Sequence, residues 1–153
     1  MKTPKILIGE GNKVLRAKSE KAGIKKAKEI LVEMRRVLKK QEALGLAAPQ
    51  IGENYRVVMC SIDGRFTAMI NPEIMSFSLD TEIKEEGCLS LPDEWGNVER
   101  AYSIELEYTN EEEERVKVYL EGWNARVVQH ELDHLEGILF TDRMKKKKGI
   151  LSL

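Results

Sequence analysis

The stretch VVQHELDHLEG, residues 127–137, holds both histidines of the chain, His130 and His134, with Glu131 beside the first. Four residues make about one helical turn, so on a helix the two imidazoles share a face and can meet one ion. Glu131 then stands where a carboxylate can take a proton from a water that the cation has acidified, and later return it. The flanking residues favour a helix. Asn124 is a natural N-cap, and Gly137 is placed to end a helix running through Leu135. The pattern is also short enough to arise by chance, in which case the histidines are polar surface.

A third ligand separates these readings. Cys88 lies in EEGCLSLPD, between Gly87 and Pro92, which predicts irregular backbone rather than a core strand. A thiolate suits zinc and the late first-row ions. Two imidazoles and one thiolate leave a coordination position open, as catalytic centres do. Cys60 sits in the apolar run YRVVMCSI and reads as a buried, inert thiol. A Cys60–Cys88 disulfide is the less favoured alternative in a chain without an export signal.

Around this stretch the chain reads as an α+β domain. Ile24, Ala27, Leu31, Met34 and Leu38 recur three or four apart, the stripe of an amphipathic helix over 24–38. EALGLAAPQIG breaks it. YRVVMCSI and FTAMI flank Asp63-Gly64, a hairpin signal. SIELEYT and RVKVYLEG alternate with period two, and the acidic NEEEE between them reads as their solvated turn. Helix, antiparallel strands and final helix together give the class.

Composition bounds the rest. Of 153 residues, 42% are apolar, enough for one core, and the net charge of −1 gives no general support for nucleic-acid binding. The opening MKTPKILIGE has no long apolar run, so neither a signal peptide nor a membrane span is expected, and a cytoplasmic location is.

Three segments, GLAAPQIG, EEGCLSLP and QHELDHLEGILFTDR, in this order and spacing, resemble peptide deformylase. The resemblance runs from the first helix through Arg143. It implies one catalytic domain over 1–153, a small α+β fold with antiparallel sheets around a central helix bearing the histidine pair. It implies a metal-dependent hydrolase that removes the formyl group from the N-terminal formyl-methionine of new polypeptides. Cys88, His130 and His134 match the family's metal ligands, with Fe2+ favoured and Zn2+, Ni2+ or Co2+ able to replace it. Glu131 matches the general acid/base. Gln50 and the backbone N–H of Leu89 match the donors to the formyl oxygen, and Gly45 the glycine lying along the substrate. By position, Leu44, Trp123 and Val127 are candidates for a methionine pocket with Glu86 at its rim. Arg100 reads as support for the site, paired with Glu86, and Arg126 and Asp133 as a pair on one helix face.

The implied partners are the nascent formyl-methionyl polypeptide and, as a candidate, the ribosome near its exit tunnel, with no membrane and no specific DNA. Three departures stand out. Ala43 replaces the glycine usual at the head of the first motif, Asp93 follows Pro92 where many relatives have glycine, and the tail after DRM is short. Lys145 to Lys148 read as a solvated tail in preference to contacts with RNA phosphates. Two other readings stay open: another metallohydrolase such as a peptidase, which Cys88 and Gln50 oppose, and a binding module that has lost activity, which the intact candidate positions oppose.

Overall fold

The computed structural model describes residues 2–144. The elements in chain order are α1 (Lys13–Arg16), α2 (Ile24–Leu38), β1 (Gly45–Ala47), a 3-10 turn (Ala48–Ile51), β2 (Val57–Ile62), β3 (Arg65–Phe77), β4 (Thr81–Cys88), β5 (Leu91–Ala101), β6 (Ser103–Thr109), β7 (Arg115–Glu121), α3 (Trp123–Leu135) and α4 (Phe140–Arg143). Strands β1-β2-β3-β6-β7 form one sheet in that order, and β4-β5 form a second. All pairings are antiparallel.

The expected α2 is present with its expected bounds, and it buries Ile30 and Val37 beside the predicted stripe. The sheet separates it from α3. Leu46, Val57, Met59, Ala68 and Ile70 pack on the α2 side. Their alternate neighbours Ala47, Val58, Cys60 and Met69 pack on the α3 side. With both faces covered, β2 is a continuous apolar run, VVMC. At β6 and β7 the helices cover one face only, and there the sequence alternates.

Local signals set the turns. Asp63 and Gly64 both take positive φ, 50° and 82°, and join β2 to β3 in a two-residue hairpin with Ile62 opposite Arg65. In the acidic turn, Asn110 Oδ1 accepts from the backbone N–H groups of Glu112 and Glu114.

Three expectations are corrected. Asn124 does not cap α3; the cap is Gly122, and the Asn124 amide instead accepts from Asp63 N–H and donates to Asp63 Oδ1. The segment around Cys88 is not loop: Cys88 ends β4, opposite Leu91, after a register shift following Glu86. The whole β4–β5 hairpin lacks a clean apolar alternation, which hid it, and β3 runs well past FTAMI.

The end of α3 is closed as predicted. Gly137 adopts φ 74°, its N–H donates to His134 O, and Ile138 N–H donates to Asp133 O, the double bond pattern of a glycine helix stop. A Cβ on Gly137 would strike the carbonyl oxygen of Arg16. Gly137→Ala therefore meets both a left-handed backbone and a clash, and should cost at least about 1–2 kcal/mol. A chemical denaturation midpoint equal to that of the parent would contradict this.

Candidate metal centre

One helical face delivers His130 and His134 from α3, and the end of β4 brings Cys88 to them. One ligand atom from each residue can be chosen so that all lie within 4.8 Å of one another. Cys88 Sγ lies 3.4 Å from His134 Nε2. The sequence named these three residues together, and the fold brings them together.

Gln50 enters from the 3-10 turn. Its Oε1 accepts from Ala47 N–H at 2.9 Å, which fixes the amide orientation. Its Nε2 then points at the cluster, 3.5 Å from Cys88 Sγ and 3.1 Å from Ser90 Oγ. Leu89 occupies the turn between β4 and β5, next to the thiol. Ser90, fully buried and orienting Gln50, was not foreseen; its place in CLS beside the thiol was the only signal.

Gly45 lies in β1 opposite Cys60. A Cβ there would stand 2.6 Å from Glu131 Oε2, so only glycine lets β1 run this close to the carboxylate. Burial pushes the Glu131 pKa up to about 7. Glu131 Oε1 is buried with no hydrogen-bond partner among the described residues. A buried carboxyl with a free oxygen, able to hold or release a proton near neutrality, suits proton transfer.

Behind the ligands lies Glu86. The sequence reading set it at a pocket rim; the structure buries it on the face of β4 turned towards Arg126 and His130 of α3. Its two oxygens take Arg100 Nε and Nη2, both at 2.9 Å, and Oε2 takes Arg126 Nη1 at 2.6 Å. Oε1 lies 2.8 Å from His130 Nδ1. These partners keep the carboxylate ionised, well below its usual range, although burial alone would raise it. An ionised carboxylate only accepts, so His130 Nδ1 carries a proton, leaving Nε2 as the atom that can ligate. The Arg100–Glu86 pair was expected. The Arg126–Asp133 pair is not formed: Arg126 serves Glu86 and the carbonyls of Val98 and Glu82, while Asp133 binds Arg100 and Arg143.

The site favours positive charge. Burial opposes protonation of His130, yet hydrogen bonds to Cys88 and Glu86 outweigh it and push its pKa up to about 10. His134, by contrast, is held neutral by burial and by the positive charge of His130. A neutral imidazole, a thiol and a neighbourhood that stabilises a cation are the donor set and electrostatics that a divalent metal requires. Of the methionine-pocket candidates, Val127 is buried in the α3 core, while Leu44 and Trp123 are more than half exposed. Lys145 to Lys148 lie outside the described residues.

The polypeptide deformylase family model matches residues 5–149. A peptide deformylase of Thermotoga neapolitana is 46% identical over 110 residues, 72% of this chain and 67% of that one. The crystal structure of the Thermotoga maritima peptide deformylase superposes with a TM-score of 0.90 at 36% identity, covering 95% of this chain and 100% of that one. The Met-Ala-Ser-bound peptide deformylase of Acinetobacter baumannii superposes at 0.88 with 31% identity, covering 94% and 99%.

A small α+β fold carrying a Cys–His–His cluster marks the chain as a hydrolase of the metal-binding kind. The chain belongs to the polypeptide deformylase family and is an enzyme that removes N-terminal formyl groups from polypeptides.

The geometry makes Glu86 the member least replaceable. Glu86→Gln leaves the buried Arg126 guanidinium without its counter-charge, leaves Arg100 with Asp133 as its one carboxylate, and gives His130 a neutral partner. It should cost roughly 3 kcal/mol of stability and weaken divalent metal binding about 10- to 100-fold. Equilibrium unfolding and metal titration measure both; a variant unchanged in metal affinity would refute the link to His130.

Proposed function

We propose that Cys88, His130 and His134 hold a divalent ion, with Fe2+ favoured, and that Glu131, Gln50, Leu89 and Gly45 carry out deformylation around it. The observation that carries this reading is the convergence of the three ligand side chains on one point beside a buried carboxylate with an unpartnered oxygen.

A bound ion supplies Lewis acidity, polarising the formyl group and acidifying water. Glu131 takes the proton from the attacking water and delivers it to the departing amine, so that one group serves as base and then acid. A cation close by stabilises the ionised form, so the acid limb of activity should fall below the pKa of about 7 to which burial, opposed by the charges of His130 and Arg100, raises Glu131. Activity should decline as pH drops through that limb, because protonated Glu131 cannot accept. Attack places negative charge on the formyl oxygen. Gln50 Nε2, held by the Ala47 contact, and the Leu89 N–H donate to it. During the reaction Gln50 exchanges its contact with the Cys88 sulfur for this oxygen.

Substrate alignment falls to β1. It is the edge of its sheet, and Leu44 O accepts from Ser61 N–H, so alternation turns the backbone groups of Gly45 outwards. An extended peptide can add to this edge by main-chain hydrogen bonds, with its N-terminus at the ion. Leu44 and Trp123 offer exposed apolar surface for the methionine side chain. We assign the enzyme to the cytoplasm, acting on formyl-methionyl chains as they leave the ribosome exit tunnel. No helix among the described residues is long and apolar enough to cross a membrane.

Glu131→Gln tests the reading. It should retain metal while losing turnover of a formyl-Met peptide by about 100-fold or more. Near-parental turnover with confirmed metal content would remove Glu131 from the chemistry. Gly45→Ala should also lower kcat, by about tenfold or more, with metal content unchanged, because its Cβ displaces the Glu131 carboxylate. Unchanged kcat in a metal-loaded Gly45→Ala protein would show that this close approach is not needed.

A further inference from the structure

The geometry points to Arg143, an exposed residue remote from the ion and the substrate, as a positioning residue for the ligand His130, acting through Asp133, Arg100 and Glu86. The inference rests on the metal-centre reading above and extends it beyond the groups that touch the cluster.

The contacts form an unbroken chain. Arg143 grips Asp133 with two bonds, Nε to Oδ2 at 2.6 Å and Nη2 to Oδ1 at 3.0 Å. Such a fork-on-fork pair fixes the plane of the carboxylate as well as its position. Asp133 Oδ2 also accepts Arg100 Nη1 at 2.6 Å. The other two nitrogens of Arg100 hold Glu86, and Glu86 holds His130. Each guanidinium and carboxylate is planar, so fixing one edge of a group fixes the direction of its other edge. Orientation therefore passes from Arg143 to the imidazole through three flat groups, those of Asp133, Arg100 and Glu86.

Exposure distinguishes the two ends. The Arg100 side chain is 3% exposed and that of Arg143 is 46% exposed. An ion pair so exposed ordinarily contributes about 0–1 kcal/mol and nothing to a site. Here its partner is shared with a buried arginine that has no access to solvent as a substitute. Losing Arg143 leaves Asp133 tied on one side only, and Arg100 with a less fixed anchor. From the same short helix the Phe140 ring stacks on His130 at 6.2 Å, and just beyond it Met144 pairs with Val98 of β5. Arg16 binds Asp142 of α4 at 2.5 Å and donates to Gly137 O at 3.2 Å, and among the described residues no hydrogen bond or ion pair joins it to Asp133.

That difference supplies the test. The full-length metal-free proteins are titrated with Co2+ and followed by thiolate-to-cobalt absorption and the ligand-field band, beside thermal midpoints. Arg143→Ala should weaken Co2+ binding about fivefold, less than an immediate neighbour of a ligand would, and should shift the ligand-field band. Arg143→Lys, which keeps the charge but not the fork, should recover part of the affinity. Arg16→Ala removes an exposed ion pair to the same short helix and should bind Co2+ as the parent does.

Parental affinity and spectrum in Arg143→Ala would overturn the inference. Equal weakening in Arg16→Ala would overturn it too, since α4 would then act only as an anchor. A parent protein without a thiolate–cobalt band, or a Cys88→Ser variant that keeps one, would defeat the metal-centre reading itself, and the inference would fall with it.

Discussion

The buried carboxylate of Glu86 is the point on which this structure turns. It lies where β4, β5 and α3 meet, and it accepts from a strand arginine, a helix arginine and the candidate ligand His130 at once. Its ionised state is what fixes the proton on His130 Nδ1. Stability is a poor explanation for such a cluster, because a buried ion network can often be replaced by apolar packing with little loss. Apolar packing could not, however, choose between the two nitrogens of an imidazole. The network is better understood as the device that aims a ligand.

The remaining architecture serves to bring that device and its ligands together. A sheet covered on both faces holds β1 against α3 closely enough that only Gly45 fits beside Glu131. The Gly137 stop ends α3 one residue beyond His134, where the chain passes close to the backbone of Arg16, so the helix cannot extend past the histidine pair. The 3-10 turn after β1 supplies Gln50, already oriented by the backbone of Ala47. The chemistry is assembled from separate elements: β1 supplies Gly45, the 3-10 turn Gln50, the end of β4 Cys88, and α3 His130, Glu131 and His134.

Much of this was legible in the sequence, for physical reasons. The i, i+4 histidines, the α2 stripe, the Asp-Gly hairpin and the alternating β6–β7 pair are local patterns, written within a few residues. The three ligands and Gln50 were named from motifs whose order and spacing matched a family. What escaped depended on tertiary contact. The β4–β5 hairpin pairs charged strands with no clean periodicity, so Cys88 looked like loop. Glu86 looked like rim because the partners that bury it, Arg100, Arg126 and His130, lie far from it in sequence. Arg126 and Asp133 share a helix face, but stronger partners on other strands and on α4 separate them. Asn124 is a good cap by type, yet a nearby turn competes for its amide.

The central claim is that one ion is held by Cys88, His130 and His134. The most direct measurement is anomalous diffraction from crystals of protein purified without oxygen and loaded with Fe2+ at one equivalent. The account predicts a single strong iron peak bonded to Cys88 Sγ and to one ring nitrogen of each histidine, that of His130 being Nε2, with Glu131 close by but not bonded. An iron peak lying elsewhere, or held without the Cys88 sulfur, would contradict it.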